Sequence, residues 1–334
     1  MMISDKQELR RCVKQLVRRA EVCESDLSFD MARGELGVEP LLDLWTYPSA
    51  TPSETLRRTT ATETPFSRDA VAMFAALDAM DLPVQDLDRA DRMQREYDRD
   101  AYLREILDTM RAKYVLVRVP FSCAAEAVFD DDRLCPLLIA DRQLFAPGRY
   151  GVDYAMTASR LLDAARGCGA RNILADCFDA EVLRFCLMPL CEDNGFSLHV
   201  ALRAIEEIDC LVSMLDEFPG VRVLAHAPAA IEMRLIEAAA RYPRLLVRLS
   251  DLSHIPQALS VLGTRFVPYS ACAVQPEQML GRWIGAKEAI WQSLAEAYLP
   301  LARAGYELQS AAIERDVRRL LSGNLLALCM PDAL

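Results

Sequence analysis

The chain has 334 residues, of which 52% are hydrophobic and 26% charged, and its formal net charge is −11. An acidic chain offers no electrostatic footprint for a nucleic-acid backbone or an anionic membrane, and no apolar run reaches the ~18 residues of a spanning helix. Neither nucleic acid nor membrane is expected as a partner, and the length suits one large globular domain over 1–334.

Residues 7–20 place Leu9, Cys12, Val13, Leu16 and Val17 on one helical stripe, and a short strand follows at 21–26. Residues 32–110 are rich in Asp, Arg, Met and Ala, with prolines at 48, 52, 65 and 83; they read as a helical insertion with several breaks, its longest helix at 87–112. From residue 113 the rhythm is regular. Strands are predicted at 113–119, 136–141, 171–177, 196–203, 221–226, 245–251 and 264–269, and amphipathic helices at 153–167, 205–217, 229–241 and 255–262. With 21–26 that makes eight strands. Strands alternating with helices pair in parallel through right-handed crossovers, so the prediction is a (β/α)₈ TIM-type barrel with a helical C-terminal tail at 277–330.

Eleven cysteines include no Cys-x-x-Cys pair, and Cys177, Cys186, Cys191 and Cys210 sit inside apolar runs. Buried thiols behave as small hydrophobes. The odd number, with no leader-like segment in front, predicts reduced thiols and a cytoplasmic location.

Alternate residues of a barrel strand face the interior. That parity groups Ser197, His199, Ala201 and Arg203; Asn172, Leu174 and Asp176; Arg222, Leu224 and His226; Leu246, Arg248 and Ser250; and Arg265, Val267 and Tyr269. Polar side chains therefore recur at the C-terminal ends of strands, where barrel active sites lie. His199, His226, Asp176 and Tyr269 are candidates for catalysis, with Arg203 and Arg248 for binding an anionic substrate. The competing reading is structural. Asp141 and Asp251, at strand ends, suit helix capping, and His254 falls in a loop or helix start.

Four stretches carry a resemblance over roughly residues 8–326: Gly37-Val38-Glu39-Pro40-Leu41-Leu42, Glu217-Phe218-Pro219 with Val221 to Ala225, Leu262-Gly263-Thr264-Arg265-Phe266-Val267-Pro268, and Asp316-Val317 with Ser322-Gly323-Asn324. In that order and spacing they resemble the uronate isomerases of the amidohydrolase superfamily. The resemblance implies aldose–ketose isomerisation of a hexuronate, with a divalent metal (zinc, manganese or magnesium) held by a His-x-His pair after strand 1 and an Asp after strand 8. Here Asp-x-His-x-His aligns with Asp26-Leu27-Ser28-Phe29-Asp30, and His-Ser-Asp-Ala-Arg with Tyr269-Ser270-Ala271-Cys272-Ala273. Both histidines and the last Asp are replaced, leaving Asp26 and Asp30 as weak metal candidates. Tyr47 stands near the family's Tyr-His-Tyr element and is a candidate substrate contact. Three functions follow: a uronate isomerase-like enzyme with a rebuilt site, a non-catalytic homologue that binds a sugar acid or a protein partner, or a metal-dependent hydrolase using Asp26, Asp30, His199 and His226. A small-molecule sugar acid is the expected partner, no tightly held zinc is expected, and the sequence leaves homo-oligomerisation open.

Overall fold

The computed structural model describes residues 2–3, 6–28, 68–83, 99–127, 129–145, 152–175, 178–273 and 276–330. A two-residue strand, β1 (Met2–Ile3), pairs antiparallel with β9 (Leu308–Gln309). Between them seven strands pair in parallel and in chain order: β2 (Val22–Ser28), β3 (Ala112–Pro120), β4 (Leu134–Ala140), β5 (Asn172–Ala175), β6 (Ser197–Ala201), β7 (Arg222–His226) and β8 (Leu245–Val247). β3, β4, β5 and β8 are mainly apolar, as parallel strands covered on both faces tend to be, whereas β2, β6 and β7 carry polar residues among the apolar ones.

The sheet curls, and its two edges are joined by the segment after β8. Val267 bridges in parallel to Arg248 beyond one edge, and Ala273 bridges to Leu27 of β2 at the other. The eighth strand predicted at 264–269 is thereby reduced to single bridges. Pro268 has no N–H to give a ladder, Gly263 turns the chain with φ 61, and Cys272 holds φ 48. The fold is a TIM-like α/β arrangement whose regular sheet has seven strands.

Alternation divides the core in two. Leu138, Ile173, Leu198, Val223 and Val247 face the helices, whereas Leu116, Leu137, Leu174, Leu224 and Leu246 share an inner cluster. The predicted parity of β5, β6, β7 and β8 is the one observed. The helices are α1 (Lys6–Arg19), α2 (Arg68–Ala79), α3 (Arg99–Met110), α4 (Tyr154–Cys168), α5 (Ala180–Val182), α6 (Met188–Asn194), α7 (Ile205–Glu217), α8 (Ala229–Arg241), α9 (Ile255–Leu262), α10 (Pro276–Arg303), α11 (Ser310–Arg318) and α12 (Asn324–Cys329). Their ends are written locally. Asp153 accepts from Met156 N and caps α4, which ends on left-handed Gly169. In α7, Ile208, Leu211, Met214 and Leu215 form the buried stripe, and Glu206 and Glu207 complement the dipole of the first turn.

Of the predicted insertion, α2 and α3 are described, and both pack on the long helix α10. The approach to α2 is close enough that a Cβ on Gly281 would lie 2.0 Å from the carbonyl oxygen of Ala72. The C-terminal stretch is helical apart from β9. Its last helix, α12, sends Leu325, Leu326, Leu328 and Cys329 into the inner cluster, while Asn324 Nδ2 donates to the carbonyls of Thr264 and Phe266. This helix closes the end of the sheet at which the strands begin.

Candidate functional site

The floor of the interior is a polar row on neighbouring strands. Asn172 Nδ2 donates to Tyr114 Oη at 3.3 Å, and Ser197 Oγ donates to Asn172 Oδ1. His199 Nε2 lies 3.4 Å from Ser197 Oγ and 3.9 Å from Cys329 Sγ of the closing helix. Burial holds the Tyr114 phenol and the Cys329 thiol protonated, pushing both well above their ordinary values. His199 therefore stands on the floor, buried and turned toward these groups.

Above it the interior is cationic. Arg248, buried just past the end of β8, sends Nη1 to within 3.4 Å of Ser25 Oγ on β2 and so reaches across the gap between the sheet edges. Arg118 comes from the C-terminal part of β3, and His226 ends β7. Burial, then the charge of Arg248, then those of His226 and Arg118, push the His199 ring down to about 3. Burial followed by Arg248 and Arg118 does the same to His226, also down to about 3, against a weaker opposing hydrogen bond with the backbone of Val200. Both imidazoles are neutral at physiological pH, in the field of two guanidinium groups. Those guanidinium groups disfavour a proton on either ring.

Sequence parity brings His199, His226 and Arg248 together but not the other candidates. Arg203 is exposed in the turn before α7, its backbone N–H bonded to Glu207 Oε2 at 2.5 Å. β6 ends at Ala201, so the alternation that pointed Arg203 inward has already lapsed. Tyr269 is buried in the outer cluster and meets Trp283 of α10 edge-on, with ring centroids 5.2 Å apart. Past Pro268 the chain is no longer a strand, and strand parity does not hold for Tyr269. Arg265, also grouped inward, donates to the carbonyls of Tyr242 and Ala239 at the end of α8. Asp176, Asp30 and Tyr47 lie outside the described residues, and Asp26 and Ser28 lie in β2.

Two residues escaped the sequence reading. Arg118 is the lone charge in the apolar run Tyr114–Pro120 and shares its parity with Tyr114 and Leu116, a signal that the same test on β3 finds. Glu24, fully buried, accepts from Ser25 N at 2.8 Å and from Ser270 Oγ on Oε1, and from Ala271 N and Trp283 Nε1, each at 2.8 Å, on Oε2. It ties β2 to the closing segment and to α10. Beside the mouth, Asp251 Oδ1 accepts from Ser253 N as a cap, and Glu232 accepts from Ser250 and from His254 Nδ1 at 2.6 Å. These contacts fasten the segment after β8 to α8.

Among the described residues, the donors do not fit the divalent metal that the sequence resemblance implies. Ala271, at the aligned position of the last ligand, brings no side-chain donor, and its N–H is committed to Glu24. The two histidines face arginines, and no group of three or more His, Cys, Asp or Glu among the described residues could hold a metal.

No family model matches the chain, and no curated protein sequence matches it. Solved structures do. A uronate isomerase from Bacillus halodurans superposes with a TM-score of 0.85 at 16% identity, covering 98% of this chain and 97% of that one. A uronate isomerase from Thermotoga maritima gives 0.66 at 8% identity, covering 99% and 100%. A protein named as a metal-dependent hydrolase, from Lactobacillus casei, gives 0.60 at 11% identity, covering 96% and 98%. Over nearly its whole length, then, the chain has the fold of these uronate isomerases.

Proposed function

We propose that the interior mouth binds a small sugar acid, with Arg118 and Arg248 receiving its carboxylate and His226 hydrogen-bonding to a neighbouring hydroxyl. The observation that carries this reading is the pairing of two guanidinium groups with two neutral imidazoles inside the sheet. Guanidinium is the side chain best shaped for a carboxylate, and a neutral imidazole can both donate to and accept from a sugar hydroxyl. The fold shared with uronate isomerases favours the same ligand class. His199, held by Ser197 and Cys329, positions the floor and does not reach the ligand.

A histidine pushed down to about 3 is a weak base, so the site is better suited to binding than to moving a proton. A bound carboxylate would offset the arginine charges and raise His226 toward its ordinary range. Isomerisation is the second reading, and the uronate isomerase fold favours it. The test is calorimetric titration with glucuronate, galacturonate and neutral glucose, beside an isomerase assay. Binding of the uronates but not glucose, lost in Arg248→Ala, is the expected result. Equal binding of glucose, or no binding of any uronate, would remove the proposal. Ketose formation that responds to His226→Asn would establish the second reading.

A further inference from the structure

At the end of the sheet opposite the mouth, a cleft of about 710 Å³ opens between the end of α1, the starts of β2 and β3, and α11. Five cations line it, Arg19, Arg111, Lys113, Arg133 and Arg318, with three carboxylates, Glu21, Asp108 and Glu314. On a chain of net charge −11 this is a local reversal of sign. Three of the cations are already matched. Arg133 lies 2.6 Å from both Asp108 and Asp131, Lys113 lies 3.4 Å from Glu21, and Arg318 lies 3.5 Å from Glu314. Among the described residues, Arg19 and Arg111 have no carboxylate partner. They come from different elements and both line the cleft, and Arg111 Nη1 donates to the backbone carbonyl of Arg19 at 2.6 Å.

The ordinary explanation of basic residues at a helix C-terminus is the helix dipole. It accounts for Arg18, which pairs with Glu288 on α10. It accounts for the charge of Arg111, which follows the end of α3 and donates to the last carbonyl of α1, but not for the backbone that carries it. That residue follows α3 with φ 60, in the left-handed region where glycine ends a helix without strain. The chain places a guanidinium there instead and bears the backbone strain. The charge of Arg111 is also felt nearby: after burial, it is what pushes Lys287 down to about 8.

We propose that this cleft is a second binding site, for a small polyphosphorylated anion, with the guanidinium groups of Arg19 and Arg111 as its principal donors. Two unmatched cations call for at least two negative charges, and the planar fork of arginine fits phosphate oxygens. The volume lies within the range of small-molecule sites.

The test is calorimetric titration of the full chain with inorganic pyrophosphate, at low and at raised salt. Wild type should bind, more weakly as salt rises. Arg111→Gly is the informative variant, because glycine accepts the left-handed backbone and the fold should melt no lower than wild type. Its affinity for pyrophosphate should fall by about tenfold or more, and that of Arg19→Ala in the same direction, whereas Arg248→Ala should bind as wild type does. Absence of pyrophosphate binding, or binding unchanged in both Arg111→Gly and Arg19→Ala, would overturn the proposal. Loss of binding in Arg248→Ala would also overturn it, by moving the anion to the mouth and leaving the sugar-acid reading intact.

Discussion

Glutamine at position 24 should destabilise the fold although it is nearly isosteric with glutamate. The Glu24 carboxylate accepts at both oxygens, from Ser25 N and Ser270 Oγ on one and from Ala271 N and Trp283 Nε1 on the other. An amide has one accepting end. If its NH₂ replaced the second oxygen, it would face two N–H groups that cannot accept. Replacing the first, it faces one N–H and a hydroxyl, and the Ser270 hydroxyl can turn to accept. The second arrangement wins and leaves the Ser25 N–H unsatisfied in a buried place, at a cost of about 1–3 kcal/mol. Glu24→Ala abandons three buried N–H groups together and should cost about 4–8 kcal/mol, a large share of the roughly 5–15 kcal/mol that stabilises a domain. Urea unfolding followed by circular dichroism measures both. A Glu24→Gln midpoint equal to wild type, with an unchanged slope, would refute the reasoning and show that the seam does not depend on an acceptor-only group.

Two other outcomes follow from groups already described. His199 and His226 are held down to about 3 in the folded chain, below the ~6.5 of an unfolded histidine. Their contribution to stability is therefore complete above pH 6.5 and is lost as pH falls from there toward 3, with a limiting slope of about 1.4 kcal/mol per pH unit for each ring. His199→Asn should flatten the acid limb of stability against pH, and a limb identical to wild type would contradict the neutral assignment. Gly281→Ala puts a methyl against the Ala72 carbonyl, so α2 and α10 must separate. The cost should be about 1–3 kcal/mol in a thermal melt, and a neutral effect would mean that the two helices slide apart freely.

The sequence was most legible where one period held over many residues. The helices at 205–217, 229–241 and 255–262 match α7, α8 and α9 to the residue. Strand parity correctly joined His199, His226 and Arg248, because β6 and β7 remain regular up to those residues or just past them and Arg248 stays bridged to Val267. It failed at Arg203, Arg265 and Tyr269, where the ladder had ended or not begun. Alternation predicts direction only while backbone hydrogen bonds hold the pleat. Glu24 was missed for another reason. Apart from Ser25 N, its donors come from residues 246 to 259 positions away, and nothing local in Val22-Cys23-Glu24-Ser25 announces them.

The helix that closes the lower end of the sheet has a consequence for how the chain reaches this state. The inner walls come from segments as early as Cys23 and Tyr114, while much of what fills them comes from Leu325, Leu326, Leu328 and Cys329. Wall and filling are separated by most of the sequence, so their encounter carries a large loop-closure entropy and comes late. During synthesis the strands can assemble into a sheet whose inner leucines, Leu116, Leu137, Leu174, Leu224 and Leu246, line an unfilled apolar funnel. That intermediate presents the kind of surface on which aggregation begins and chaperones act.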